Sequence, residues 1–207
     1  MDIMAMIENN EYLAMQVHRD FNKSILSMMV HYEFLPQEQY DVEFDEFDFN
    51  QFATFVARDL DTNELFRGFS FPKAIILDEN TLDFMRTIEE IHGFNIIEWV
   101  EENEVDLLVA INMFSILHEV GHVFNSINMS EVDENKDEML KELDNSGLSD
   151  EEMALAYRQL PFEYYADLFA TDMMNIYANE LKMIFNHFKE EMDFGIVEFE
   201  QSACVEG

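Results

Sequence analysis

The sequence predicts an α+β fold, mostly helical, with a small sheet of three to four strands beside one central helix. Helical spacing of apolar residues dominates the chain, as at Leu13, Val17, Phe21, Ile25, Met28 and Met29. Between Tyr40 and Leu77 the period drops to two, with Val42, Phe44, Phe47 and Phe49 alternating against Asp41, Glu43, Asp45, Glu46 and Asp48. The third observation is an apolar helical segment from about Asn103 to Asn125 that carries Leu117-His118-Glu119-Val120-Gly121-His122.

The chain has 207 residues and is 48% hydrophobic, enough for the core of one domain. Its 11 Lys and Arg face 45 Asp and Glu, a net charge of -34. Such a charge repels nucleic acid and anionic membranes, so neither is expected as a direct partner. It suits a protein or peptide partner with a basic segment, or mimicry of nucleic acid. One cysteine, Cys204, excludes a disulfide framework and a Cys-rich zinc module. Met1-Asp2-Ile3-Met4 has no signal-peptide pattern. The longest apolar run, Leu107 to Leu117, is broken by Asn112 and Ser115 and is short for a bilayer. A cytoplasmic protein is the expectation.

Three regions follow from the pattern: an N-terminal helical segment over 1–36, a main domain over 37–195 with an acidic insert at 125–150, and a tail over 196–207. Pro36 ends the first helical region. Strands are expected at 40–49, with a bulge at Asp45-Glu46, and at Gln51–Ala57, Leu65–Phe71 and Ala74–Leu77. Asn80 or Thr81 caps a helix through Phe84, Ile88 and Ile91 that ends near Gly93. Ile96 to Val100 reads as helix or turn, and Asn103 as the cap of the central helix.

In the insert, Ser130 with Asp133 opens a short helix toward Leu143, stopped by Gly147. Asp133, Asn135 and Asp137 do not make a calcium loop, because Glu138 stands where glycine is needed. Ser149 with Glu152 forms a capping box, Pro161 restarts the helix, and helix continues to about Met192. His18 and His31 read as surface or core histidines, and His92 lacks a diagnostic spacing.

The chemistry concentrates in H-E-x-x-H. Residues four apart lie one turn above each other, so His118 and His122 can point at one metal ion. Glu119 then projects beside them toward a water. Burying two imidazoles and a carboxylate without a partner is costly, and a metal resolves that cost. Glu163 and Asp167 share a face of a second apolar helix, so Glu163 can supply a third ligand. Asp167 can accept the second ring N–H of a ligand histidine, His118 first.

H-E-x-x-H followed on a second helix by E-x-x-x-D resembles the gluzincin metallopeptidases. His118-Glu119-Val120-Gly121-His122 with Glu163-Tyr164-Tyr165-Ala166-Asp167-Leu168-Phe169-Ala170 looks most like the ImmA/IrrE family, over roughly residues 74 to 175. The resemblance implies a zincin-like fold and a small zinc peptidase acting on regulatory proteins of a host or mobile element. It implies zinc on His118, His122 and Glu163, with Glu119 as general base. Tyr164 and Tyr165, with Tyr157 and His187, are candidates for the donor that steadies the oxyanion. The competing expectation is an acidic interaction protein, an inhibitor or nucleic-acid mimic, on such a scaffold.

Overall fold

The computed structural model describes residues 17, 19–36, 39–44, 52–58, 65–72, 79–128 and 135–189. Side chains in 39–72 and at 79–80 and 150–151 lie outside that description. So do the expectations for residues 1–16, His18, the Asp45-Glu46 bulge, Ala74–Leu77, Ser130, Asp133, Cys204 and the tail.

The central element is helix α4, Leu107–Asn128, which carries the His118/His122 motif. Its buried residues, among them Val109, Ala110, Ile111, Met113, Phe114, Ile116 and Leu117, occupy successive positions around the helix. A helix apolar on all sides is surrounded by other elements rather than half exposed. By length and composition α4 would pass for a membrane span, contrary to the expectation from its interrupted apolar run. Its 18-residue window has a mean hydropathy of 1.5, but 67% of that window is buried inside the protein.

Helices are among the neighbours of α4. α7, Pro161–Ile176, packs along it, with Phe162, Ala166, Phe169, Ala170, Met173 and Met174 buried. α2, Glu79–His92, ends at Gly93, whose φ of 66° suits a residue without Cβ. α3, Ile96–Asn103, starts under the side chain of Asn95, which accepts from the amides of Ile97 and Glu98. The cap of α4 is Asp106, whose Oδ1 accepts from Leu108 N at 2.9 Å. Asn103, expected in that role, instead donates back to Trp99 O. A helix over 19–31, α1, and one over 178–189, α8, contribute to the same core. Phe21 of α1 meets Phe188 of α8 edge to face at 5.9 Å. Phe21, Ile25, Leu26 and Met29 belong to the same buried cluster as α4 and α7, so the first helical region is part of one core.

Over the insert, α5 spans Lys136–Asp144 and α6 spans Asp150–Arg158. α6 opens on the Ser149/Glu152 capping box, and Pro161 stands at the start of α7. The helix expected to run on to Met192 breaks at Tyr177, where φ and ψ leave the helical range.

The fold class differs from the expected α+β, zincin-like arrangement. Of the residues whose side chains are described, 83% are helical and none lies in a strand, so the described body is all-α. Backbone pairing alone draws an antiparallel meander of β1 (Gln39–Phe44), β2 (Phe52–Arg58) and β3 (Leu65–Pro72), with β3 nearest α4. Val42 pairs with Phe55, and Phe55 with Phe69. Their side chains lie outside the described residues, so the described core is built from helices.

One contact sets how closely α4 and α7 approach. A Cβ built on Gly121 would lie 2.9 Å from both Cα and O of Ala166, and 3.1 Å from Cβ of Phe169. Two of those three atoms are backbone and cannot rotate away. We expect Gly121→Ala to lower the unfolding free energy by about 1–3 kcal/mol, the usual range for overpacking, in a urea titration. An unchanged midpoint would show that the two helices can separate freely.

Candidate metal centre

α4 and α7 bring together the residues that the two sequence motifs single out. Gly121 lies between His118 and His122, and Ala166 lies between Glu163 and Asp167, so the close approach sits at the middle of the site. His118, Glu163 and Asp167 are buried, and Glu119 and His122 are half-buried.

His118 Nδ1 lies 2.8 Å from Asp167 Oδ1. A carboxylate accepts there, so Nδ1 carries the proton and Nε2 is left to face the site. That Nε2 is 3.0 Å from His122 Nε2 and 3.3 Å from Glu163 Oε2. His122 Nε2 is 3.7 Å from Glu163 Oε1. Donor atoms of His118, Glu119 and His122 also lie within 4.8 Å of one another. We take Glu163 over Glu119 as the third donor of the cluster, because both its oxygens face the ring nitrogens.

Three atoms with lone pairs thus crowd one point, and the arrangement calls for positive charge between them. The electrostatics of the metal-free site reflect that. Burial alone would lower the His118 imidazole, but hydrogen bonds with Asp167 and Glu163 outweigh it and raise it to about 9. Burial, reinforced by charge on His118, lowers His122 to about 4. Burial opposes ionisation of Glu163, yet His118, His122 and the Tyr157 hydroxyl bring it down to about 2. Burial lifts the Glu119 carboxyl to about 7, against the pull of His118. A divalent ion would replace the single His118 proton as the central charge.

Three further residues reach this cluster, and sequence spacing pointed to none of them with force. Tyr157 Oη donates to Glu163 Oε1 at 2.8 Å. Arg158 Nη1 donates to Glu163 Oε2 at 3.3 Å and to Asp167 Oδ1 at 3.0 Å. His92 Nε2 stands 3.9 Å from Asp167 Oδ2, with its side chain 1% exposed. Both His92 ring nitrogens and Asp167 Oδ2 lack a hydrogen-bond partner among the described residues. Burial holds His92 below the usual imidazole range.

The tyrosines expected near the chemistry divide. Tyr157, at the end of α6, is the phenol on the Glu163 carboxylate, and burial suppresses its own ionisation. Tyr164 turns its ring to His92, with centroids 4.8 Å apart. Tyr165 is exposed and stacks edge-on against Tyr164. His187 is exposed on α8 against Phe188, and His31 lies beside Tyr32.

Comparison with known proteins gives no independent assignment: no protein family, curated protein or solved structure matches this chain.

The pH dependence of the metal-free protein follows from Glu119. Its folded carboxyl titrates near 7 instead of the ordinary 4.5, so the native state keeps a proton that the unfolded chain has released. Stability from this group is present below the unfolded value and is lost as pH rises through the folded one. Glu119→Gln removes that loss. Without metal, the variant should unfold at higher urea than wild type at about pH 8, with the gap closing near about pH 4.5. A gap of the same size at both values would remove burial of the Glu119 charge as the cause.

Proposed function

We propose that this chain is a zinc-dependent metallopeptidase, of the gluzincin type and ImmA/IrrE-like, that hydrolyses a peptide bond in a protein substrate. The observation that carries it is the convergence of His118 Nε2, His122 Nε2 and the Glu163 carboxylate, with separations of 3.0, 3.3 and 3.7 Å. Tetrahedral zinc with bonds of about 2.0 Å has ligand-to-ligand edges of about 3.3 Å. Two histidines and one carboxylate are also a donor set that leaves a fourth position open, as hydrolysis requires.

Zinc, when bound, polarises a carbonyl and makes water a nucleophile at neutral pH. The protein supplies the rest. Asp167 accepts the Nδ1 proton of His118 and so fixes the tautomer whose Nε2 lone pair faces the site. Glu119 takes a proton on its carboxylate and returns it to the leaving amine, and a pKa lifted to about 7 suits transfer in both directions. Tyr157 keeps a neutral hydroxyl close to the ligands, and its one O–H, donated here to Glu163 Oε1, would have to leave that carboxylate to meet charge developing on the substrate oxygen. The net charge of -34 favours a substrate with a basic segment.

That same charge supports a second reading, an acidic interaction protein built on a metallopeptidase scaffold. Glu119 separates the two. We expect purified wild type to carry about one zinc per chain and Glu163→Ala to lose it, by elemental analysis. Glu119→Gln should keep its zinc and lose about 100-fold or more in hydrolysis. The readout is new protein N-termini in cells making wild type, absent with the variant. A Glu119→Gln protein with full biological effect would favour the interaction reading, and a wild type without metal would end the peptidase one.

A further inference from the structure

The last turn of α6 already engages both oxygens of the candidate third ligand. Tyr157 Oη donates to Glu163 Oε1, and Arg158 Nη1 to Glu163 Oε2. Those are the oxygens that face His122 Nε2 and His118 Nε2. Arg158 Nη1 also donates to Asp167 Oδ1, the oxygen that accepts from His118. The Arg158 side chain is 23% exposed, while those of Glu163 and Asp167 are 6% and 0% exposed. Its guanidinium lies over the Phe84 ring of α2, 4.9 Å from the centroid. The cation is therefore held by α2 on one side and by two buried carboxylates of α7 on the other.

Two buried carboxylates need compensating charge, and a guanidinium never gives up its own. We propose that Arg158 is an internal counter-ion that holds the metal-free site together and competes with the metal for Glu163, a role that rests on the metal-binding reading of this site. A carboxylate oxygen whose density is drawn into an N–H···O contact is a poorer donor to a metal ion. Removing the arginine therefore acts in opposite directions on the two states. The metal-free fold loses its counter-charge, and the incoming ion finds Glu163 less engaged. A residue that merely aimed Glu163 at the metal would act in one direction, weakening both.

The experiment measures melting temperature of the metal-free protein and zinc affinity by competition with a chromophoric chelator, in wild type, Arg158→Gln and Arg158→Lys. We expect Arg158→Gln to melt lower without metal and to bind zinc about tenfold more tightly, opposite in sign to the loss of about 10- to 100-fold that follows removal of a group supporting a ligand. Arg158→Lys keeps the charge but not the planar fork, so both of its shifts should fall between wild type and the glutamine variant. If Arg158→Gln does not fold, the lysine variant carries the comparison, and zinc binding tighter than wild type is still required. Weaker zinc binding in either variant, or an unchanged metal-free melting temperature, overturns the counter-ion role and leaves the metal site standing. A wild type that takes up no zinc overturns the metal reading itself, and the competition with it.

Discussion

The approach of α4 and α7 at Gly121 is the constraint on which the site depends. Ala166 backbone occupies the space where a side chain at 121 would stand. The two histidines sit on one helix and the two carboxylates on the other, each pair spaced by one turn across that contact. A separation of even one ångström would lengthen the 2.8 and 3.3 Å contacts between the helices beyond useful reach. The small residues are thus a condition of the chemistry, and the surrounding aromatic packing of Phe34, Phe124 and Phe169 makes the approach rigid.

Close packing of this kind creates a charge problem. Glu163 and Asp167 are buried, Glu119 is half-buried, and His122 resists protonation. Compensation in the metal-free protein falls to the His118 proton and to Arg158. The His118 proton stands among the donor atoms, and Arg158 stands behind them. The strain shows in Glu119, whose carboxyl is pushed toward neutrality by the same burial. Sites that are electrostatically uncomfortable without their ligand are common where binding or catalysis occurs, because stability and function make different demands on the same atoms.

Parts of this arrangement were legible in the sequence for a simple reason. The spacing of residues within one helix is fixed by its turn, so H-E-x-x-H and E-x-x-x-D state which side chains share a face before any packing is known. The capping box at Ser149 and Glu152 is local in the same sense. What crosses between elements was not legible. Arg158 reaches Asp167 only because α6 folds back over the start of α7, and His92 reaches it only from the end of α2. Period-two alternation indicated strands, and backbone pairing does occur there, but alternation does not say what encloses the core. The run of buried residues around α4 was the better signal, since a helix apolar on every side requires neighbours on every side. Asp106 against Asn103 as the cap of α4 shows the usual limit on helix ends, where two good capping residues stand three positions apart.

The acidity of the chain bears on both proposed functions through the same field. A net charge of -34 raises the local concentration of any cation, whether a metal ion or a basic peptide segment. It also works against compactness through self-repulsion, which gives each internal cation more weight than it would have in a balanced protein. Arg158 is one of only 11 Lys and Arg in the chain, and it lies mostly inside, against two carboxylates, instead of on the surface. Lys136, at the start of α5, rests over the Phe162 ring and lowers the pKa of both Glu119 and His122, favouring the Glu119 carboxylate and the neutral His122 imidazole. Two of the chain's cations, Arg158 and Lys136, therefore act on the converging carboxylates. A surface that attracts cations, around a centre that already holds one and has donors for another, is consistent with a metal site whose loading is tuned by the protein's own cations.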